Sequence, residues 1–273
     1  MFNWGDGTWW IMGSYYLREW HMRWFYDQLK PGVSVCDISD DVQGFSISGP
    51  NAHKLLSRVT ADDVSGAALP FLGCKAIDVG LLRCKMARLS VVGELGYEIN
   101  CRAAEHATLR KTLLAAGEGL GLVEVGFNAM LSLRLEKSFG IWTHEFRQGY
   151  TPGMTGLDRF IDFAKPDFVG REKALIEKQA GAKTVLATLE VDAADADASG
   201  YEPVWCEGKR VGYITSGGYG HTVKKSLALA LIDRDASAVG TELLVHVVGK
   251  ERKARVIAPS PYDPEGKSMR VKV

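Results

Sequence analysis

Val185-Leu186-Ala187-Thr188-Leu189-Glu190-Val191 is short, rich in β-branched and aliphatic residues, and the first of a series. Tyr201–Cys206, Arg210–Thr215, Ser226–Ile232, Glu242–Val248 and Lys253–Ala258 repeat the pattern, with glycine or charged turns between them. Side chains that alternate with period two belong to strands with one face toward a core. Several short strands separated by such turns predict a small antiparallel barrel or sandwich over the last part of the chain.

Upstream the period changes. Gln43–Ser48 alternates as a half-buried strand, and Gly49-Pro50 ends it and presets the first turn of a helix over 51–59, where Ala52, Leu55, Leu56 and Val59 recur at helical spacing. After a loop around Leu69–Gly73, Leu81–Val92 reads as a strand, Gly93–Gly96 as a tight connection and Tyr97–Cys101 as its hairpin mate. Helices are expected over Ala103–Ala116 and Gly126–Ser138. In the second of these Arg134 shares a face with Phe127, Met130, Leu131 and Leu135, so its guanidinium requires a carboxylate or carbonyl nearby. A short helix within Lys165–Gly181 joins the two parts, giving domains of residues 1–164 and 165–273 and an α+β fold class.

Composition narrows the function classes. The 33 basic and 33 acidic side chains cancel, so no overall field favours a nucleic acid or an acidic membrane. No run of eighteen apolar residues occurs and the opening residues lack a signal-peptide pattern, which leads to the expectation of a cytoplasmic or organelle-matrix protein. The five cysteines, Cys36, Cys74, Cys84, Cys101 and Cys206, form no Cys-x-x-Cys pair and read as reduced thiols, and the six histidines show no metal-ligand spacing. Phe2, Trp4, Trp9, Trp10, Tyr15, Tyr16, Trp20, Trp24, Phe25 and Tyr26 crowd the first 26 residues; such rings need a surface to cover, on this chain, on a partner chain or on another copy.

Phosphate loops, dinucleotide fingerprints and serine elbows are absent. A series of phrases carries the functional reading instead: Cys36-Asp37-Ile38-Ser39, Ser48-Gly49-Pro50-Asn51-Ala52, Gly93-Glu94-Leu95-Gly96-Tyr97-Glu98, Leu133-Arg134-Leu135-Glu136-Lys137, Thr151-Pro152, Phe168-Val169-Gly170-Arg171-Glu172, Gly212-Tyr213-Ile214-Thr215-Ser216-Gly217 and Tyr262-Asp263-Pro264. In this order they resemble the glycine-cleavage aminomethyltransferase family, and the Leu-Arg-Leu-Glu-Lys form, Trp142 and the closing Tyr-Asp-Pro look nearest to the folate-binding domains of dimethylglycine and sarcosine dehydrogenases.

The resemblance implies ferredoxin-like α/β lobes followed by a small antiparallel β-barrel, tetrahydrofolate as cofactor, and a small N-methyl or aminomethyl compound as one-carbon donor. It also implies that the family's amino-terminal portion, with its catalytic aspartate, precedes residue 1, so no catalytic residue is named and Asp6 is not promoted. The family's pterin-binding glutamate falls on Glu98. By chemistry this suits the position: Tyr97, Ile99 and Cys101 face one way, Glu98 and Asn100 the other, and a carboxylate accepts two parallel N–H groups from a pterin edge. Phe71 falls where related domains pack an aromatic on the ligand, and Arg134 and Tyr262 complete the expected cofactor-binding set, although Arg134 with Glu136 reads equally as a structural pair and Tyr262 as an anchor of the barrel. Two positions depart from the relatives: Val91, where the dehydrogenase type has tyrosine, and Met130, where the aminomethyltransferases have a substrate-binding arginine. The resulting expectation is a folate-binding one-carbon transfer chain, with a catalytically silent folate-binding or assembly module, or a methyl-transferring demethylase, as alternatives. Glu98 is expected in a cleft bounded by Phe71 and the Arg134 helix.

Overall fold

Tyr97, Ile99 and Cys101 lie on one face of a central strand and are buried, and that alternation organises the first half of the molecule. The computed structural model describes residues 1–273 and divides into two units, Met1–Val125 with Glu265–Val273, and Gly126–Pro264. In the first unit, β1 (Phe2–Asn3) and β2 (Trp9–Trp10) form a small hairpin, followed by α1 (Arg18–Gln28), β3 (Val42–Ser48), α2 (Ala52–Leu56), β4 (Cys74–Val79), β5 (Leu82–Ala87), β6 (Gly96–Arg102) and α3 (His106–Ala116). The sheet order is β3-β6-β5-β4, antiparallel throughout. Its core face carries Ile47, Ile77, Val79, Cys84, Met86, Tyr97, Ile99 and Cys101, covered by Ala52, Leu55 and Leu56 of α2 and Leu109 and Leu113 of α3. Because strand side chains alternate, covering one face with helices leaves the even-numbered residues of β6 on the other.

Two expectations are corrected here. The helix predicted over 51–59 is limited to Ala52–Leu56, with Ser57–Val59 in a turn. The strand predicted over Leu81–Val92 ends at Ala87. Next to it Arg88 turns its guanidinium to the carbonyls of Leu69 and Val271. β4 carries no sequence signal of its own, since its Cys-Lys-Ala start lacks clean alternation, and it forms the sheet edge by pairing with β5.

The second unit begins with α4 (Phe127–Leu135), α5 (Pro152–Thr155) and α6 (Arg171–Ala180), then β7 (Thr184–Val191), β8 (Pro203–Cys206), β9 (Lys209–Gly220), β10 (Lys225–Asp233), β11 (Glu242–Val247) and β12 (Lys250–Ile257). The six strands close into a barrel in the order β10-β7-β12-β11-β8-β9, as the period-two stretches predicted. Leu189, Val204, Ile214, Ile232, Val245 and Val256 fill its interior. Gly212 permits the closure: a Cβ there would stand 2.0 Å from the Leu231 carbonyl oxygen on β10. Phe127, predicted on the apolar face of α4, is 67% exposed, since burial on this helix is confined to Arg134 and Leu135 in its last turn.

Candidate functional site

β6 runs between β3 and β5, so a side chain on its open face has neighbours on both sides. Glu98 stands opposite Ser46 of β3 and Ala87 of β5, two small residues, of which Ala87 is itself buried. The carboxylate is half-buried, and Asn100 Nδ2 donates to its Oε1 over a long 3.4 Å. A carboxylate offers about four acceptor positions, and this contact engages only one of them. Asn100 itself is buried, opposite Gly44 and Lys85. Gly44 makes room for it, because a Cβ at that position would lie 2.7 Å from Asn100 Oδ1.

Lys85, across from Asn100, completes this face. Its ammonium lies 4.7 Å from the ring centre of Trp4 and 4.8 Å from that of Trp10, which meet edge to face at 5.1 Å. The Asp6 carboxylate is 4.0 Å from Lys85 Nζ and accepts from the backbone N–H of Thr8, while the Thr8 hydroxyl donates to it and holds its pKa below the usual carboxylate value. Two of the crowded amino-terminal rings therefore cover a lysine of the sheet, whereas Trp9, Tyr15, Tyr16, Trp20, Trp24 and Tyr26 remain exposed. Cys74 Sγ and the Asn3 carbonyl oxygen, 3.1 Å apart, tie the hairpin to β4. Phe71, in the turn before β4, is partly buried beneath the Arg270 guanidinium at 5.4 Å.

In the second unit the Leu133–Lys137 motif is consumed by the fold. Arg134 is 2% exposed and Glu145, its partner at 3.0 Å, is fully buried. The same guanidinium donates to the Phe139 carbonyl, and burial pushes its pKa down while Glu145 opposes that shift. Glu145 also accepts from Ile141 N–H at 3.0 Å, Thr215 Oγ1 at 2.6 Å and Ser216 Oγ at 2.5 Å. Arg134 thus has both the carboxylate and the carbonyl that its position demanded. It does not pair with Glu136, as the motif suggested: Glu136 accepts from the Thr222 and Val223 backbone N–H groups. Lys137 donates to the carbonyls of Tyr262 and Asp263, and Tyr262 N–H donates to the Glu136 carbonyl.

Glu98 and Phe71 therefore belong to the first unit, and Arg134 and Tyr262 to the second. The sequence reading did not find Lys85, Trp4 and Trp10 as neighbours of the Glu98 face, nor Glu145 as the partner of Arg134. The first carried a readable signal, since Lys85 is an out-facing residue of a recognisable strand. Glu145 did not, because it sits in a loop eleven positions beyond Arg134.

Comparison with known proteins places this architecture. Residues 1–165 match the GCVT N-terminal domain, and residues 185–263 match the Glycine cleavage T-protein C-terminal barrel domain. The chain belongs to the glycine cleavage T-protein family. Among relatives of this T-protein family chain, the mouse mitochondrial dimethylglycine dehydrogenase is 34% identical over 240 residues, which is 86% of this chain but 28% of that protein. An aminomethyltransferase of Desulforamulus reducens is 32% identical over 243 residues, covering 89% of this chain and 66% of that one. The chain thus spans less than a third of the dehydrogenase and about two thirds of the aminomethyltransferase. The crystal structure of the glycine cleavage system aminomethyltransferase T from Bartonella henselae aligns with a TM-score of 0.71 at 22% identity, covering 80% of this chain and 59% of that one, a likeness of fold. No helix in the T-protein family chain is long and apolar enough to cross a membrane.

Proposed function

We propose that this chain binds tetrahydrofolate through Glu98 and serves one-carbon transfer from a small N-methyl or aminomethyl donor. The observation that carries the reading is the state of Glu98: a half-buried carboxylate on the sheet face away from α2 and α3, flanked by Ser46 and Ala87 and engaged by one long bond from Asn100. Membership of the T-protein family, together with relatives that include aminomethyltransferases and dimethylglycine dehydrogenases, supports it.

The residues fit a pterin edge. Two parallel N–H donors require two acceptors held in one plane, which a carboxylate provides, and Asn100 orients that carboxylate from the next out-facing position of the strand. When bound, the folate supplies the nitrogen nucleophile that accepts the one-carbon unit. The protein's share is to hold the ring system, exclude water and fix the direction of approach. Phe71 is assigned a packing role against the ligand. Arg134 holds the Phe139–Glu145 loop of its own unit, and Tyr262 is held by Lys137, so both are assigned a structural part within the second unit.

Calorimetric titration with tetrahydrofolate, on the parent chain and on Glu98→Gln, tests the reading. The parent should bind and the variant should bind about ten- to a hundredfold more weakly, the scale of a charge-assisted hydrogen bond. A parent chain that binds no folate would favour a silent assembly module. Where binding holds, the oxidation state of the carbon delivered to folate separates aminomethyl transfer from methyl-transferring demethylation.

A further inference from the structure

The strand pairing that places Glu98 on the face away from the helices also places an aromatic pair there. Lys85 is directly across from Asn100, and Glu98 is the next out-facing residue of β6, diagonal to Lys85. Cross-strand neighbours on one face lie about 5 Å apart and diagonal ones about 7–8 Å, within reach of long and aromatic side chains. Trp4 and Trp10 close on the Lys85 ammonium from the hairpin β1–β2, and the lysine side chain is 26% exposed. Cation–π attraction explains why the rings gather there. It leaves another feature unexplained. The Nε1–H of Trp4 is shut off from solvent and has no hydrogen-bond acceptor. A sheltered indole N–H without an acceptor is unfavourable, and such groups in folded proteins call for a reason.

We propose that Trp4 and Trp10, held against the sheet by Lys85, form the aromatic wall of the Glu98 site, and that the hairpin shifts on binding so that Trp4 Nε1–H donates to a carbonyl oxygen of a flat heteroaromatic ligand whose N–H edge pairs with Glu98. This rests on the folate reading and extends it. A pterin carries a ring carbonyl beside its N–H donors, so one ring edge presents both a donor set for a carboxylate and an acceptor for an indole. The indole face offers in addition an apolar surface for stacking. Lys85 acts as a positioning residue: its charge lies against both rings, in a hairpin that Phe2 against Trp4 and the Cys74–Asn3 contact also hold.

The test follows the indole N–H signals of the parent chain by ¹⁵N-labelled NMR during titration with tetrahydrofolate, with p-aminobenzoylglutamate, which lacks the pterin, as control. The Trp4 Nε1–H signal should move downfield with tetrahydrofolate and stay in place with the control. Trp4→Phe, which keeps a ring and removes the donor, should weaken folate binding roughly fivefold or more, the scale of one neutral hydrogen bond. Lys85→Met should broaden both indole signals in the free protein. If the parent binds tetrahydrofolate while the Trp4 signal stays unmoved and Trp4→Phe binds equally well, this inference fails and the Glu98 reading stands. Tighter binding by Trp4→Phe would overturn it too, making the hairpin a cover that competes with the ligand. Movement of the Trp4 signal with the control would assign the indole to the tail and overturn the pterin contact. A parent chain that binds no tetrahydrofolate removes both readings together.

Discussion

Glu98 and Glu145 are both glutamates beside a structured sheet, yet their surroundings make them opposite kinds of residue. Glu145 is fully buried and accepts from Arg134, Ile141 N–H, Thr215 and Ser216, so its acceptor capacity is used. Glu98 is half-buried and receives one 3.4 Å bond. Burial alone would have pointed to Glu145 as the special residue. The comparison teaches that a buried carboxylate whose acceptor positions are filled is part of the frame, whereas a half-buried one with open positions is the candidate for a ligand.

The sharpest way to break this comparison is to remove Arg134. Arg134→Met leaves Glu145 buried without its countercharge and should lower stability by about 3–5 kcal/mol in urea unfolding. A loss below about 1 kcal/mol, the scale of an exposed pair, would show that the ion pair is not what fixes the loop. Glu98→Gln should behave in the reverse manner, leaving the urea midpoint nearly unchanged while weakening tetrahydrofolate binding by roughly 1.5–3 kcal/mol. If that substitution instead destabilises the chain as much as Arg134→Met, the two glutamates are alike and the site assignment falls. Phe71→Leu keeps an apolar side chain but loses the ring; calorimetry should show binding weaker by about 0.5–1.5 kcal/mol, the increment of an aromatic contact beyond its area.

Alkaline pH separates the two units in another way. Burial first, then the neighbouring Cys101, pushes the Cys84 thiol from 9.0 to about 12 in the sheet unit. Burial, then the hydrogen bond with Tyr150, pushes the Tyr213 hydroxyl from 10.0 to about 12 in the barrel unit. Both groups are neutral when protonated, and the folded state holds the proton more tightly than the unfolded one. Their contribution is therefore complete below the unfolded value and is lost as pH rises from there through the folded value. Stability should begin to fall above about pH 9 through Cys84 and above about pH 10 through Tyr213. Urea midpoints measured from pH 8 to 11 on the parent and on Cys84→Ala check this, and an identical onset in both would remove Cys84 as the cause.

Much of the second unit was legible because its signal is local. Each barrel strand announces itself by period two and by glycine or charged turns, and the six stretches pair as strands with boundaries shifted by a few residues. The Glu98 face was legible for the same reason: alternation along β6 requires no knowledge of distant residues. Where a ladder depends on its neighbour the reading weakened, as at β4, whose partner β5 supplies the order that its own sequence lacks.

By itself, then, the sequence determined the α+β class, the family, the barrel and the side of its strand on which Glu98 stands, because periodicity and motif order are properties of the chain taken a few residues at a time. Only the tertiary structure decided which carboxylate answers Arg134, that Glu136 turns to the 222–223 backbone, and that two tryptophans close over Lys85 beside Glu98. Hydrogen bonds and ring contacts act within a few ångströms in space, and folding brings together residues more than eighty positions apart, a proximity that no pattern along the chain records.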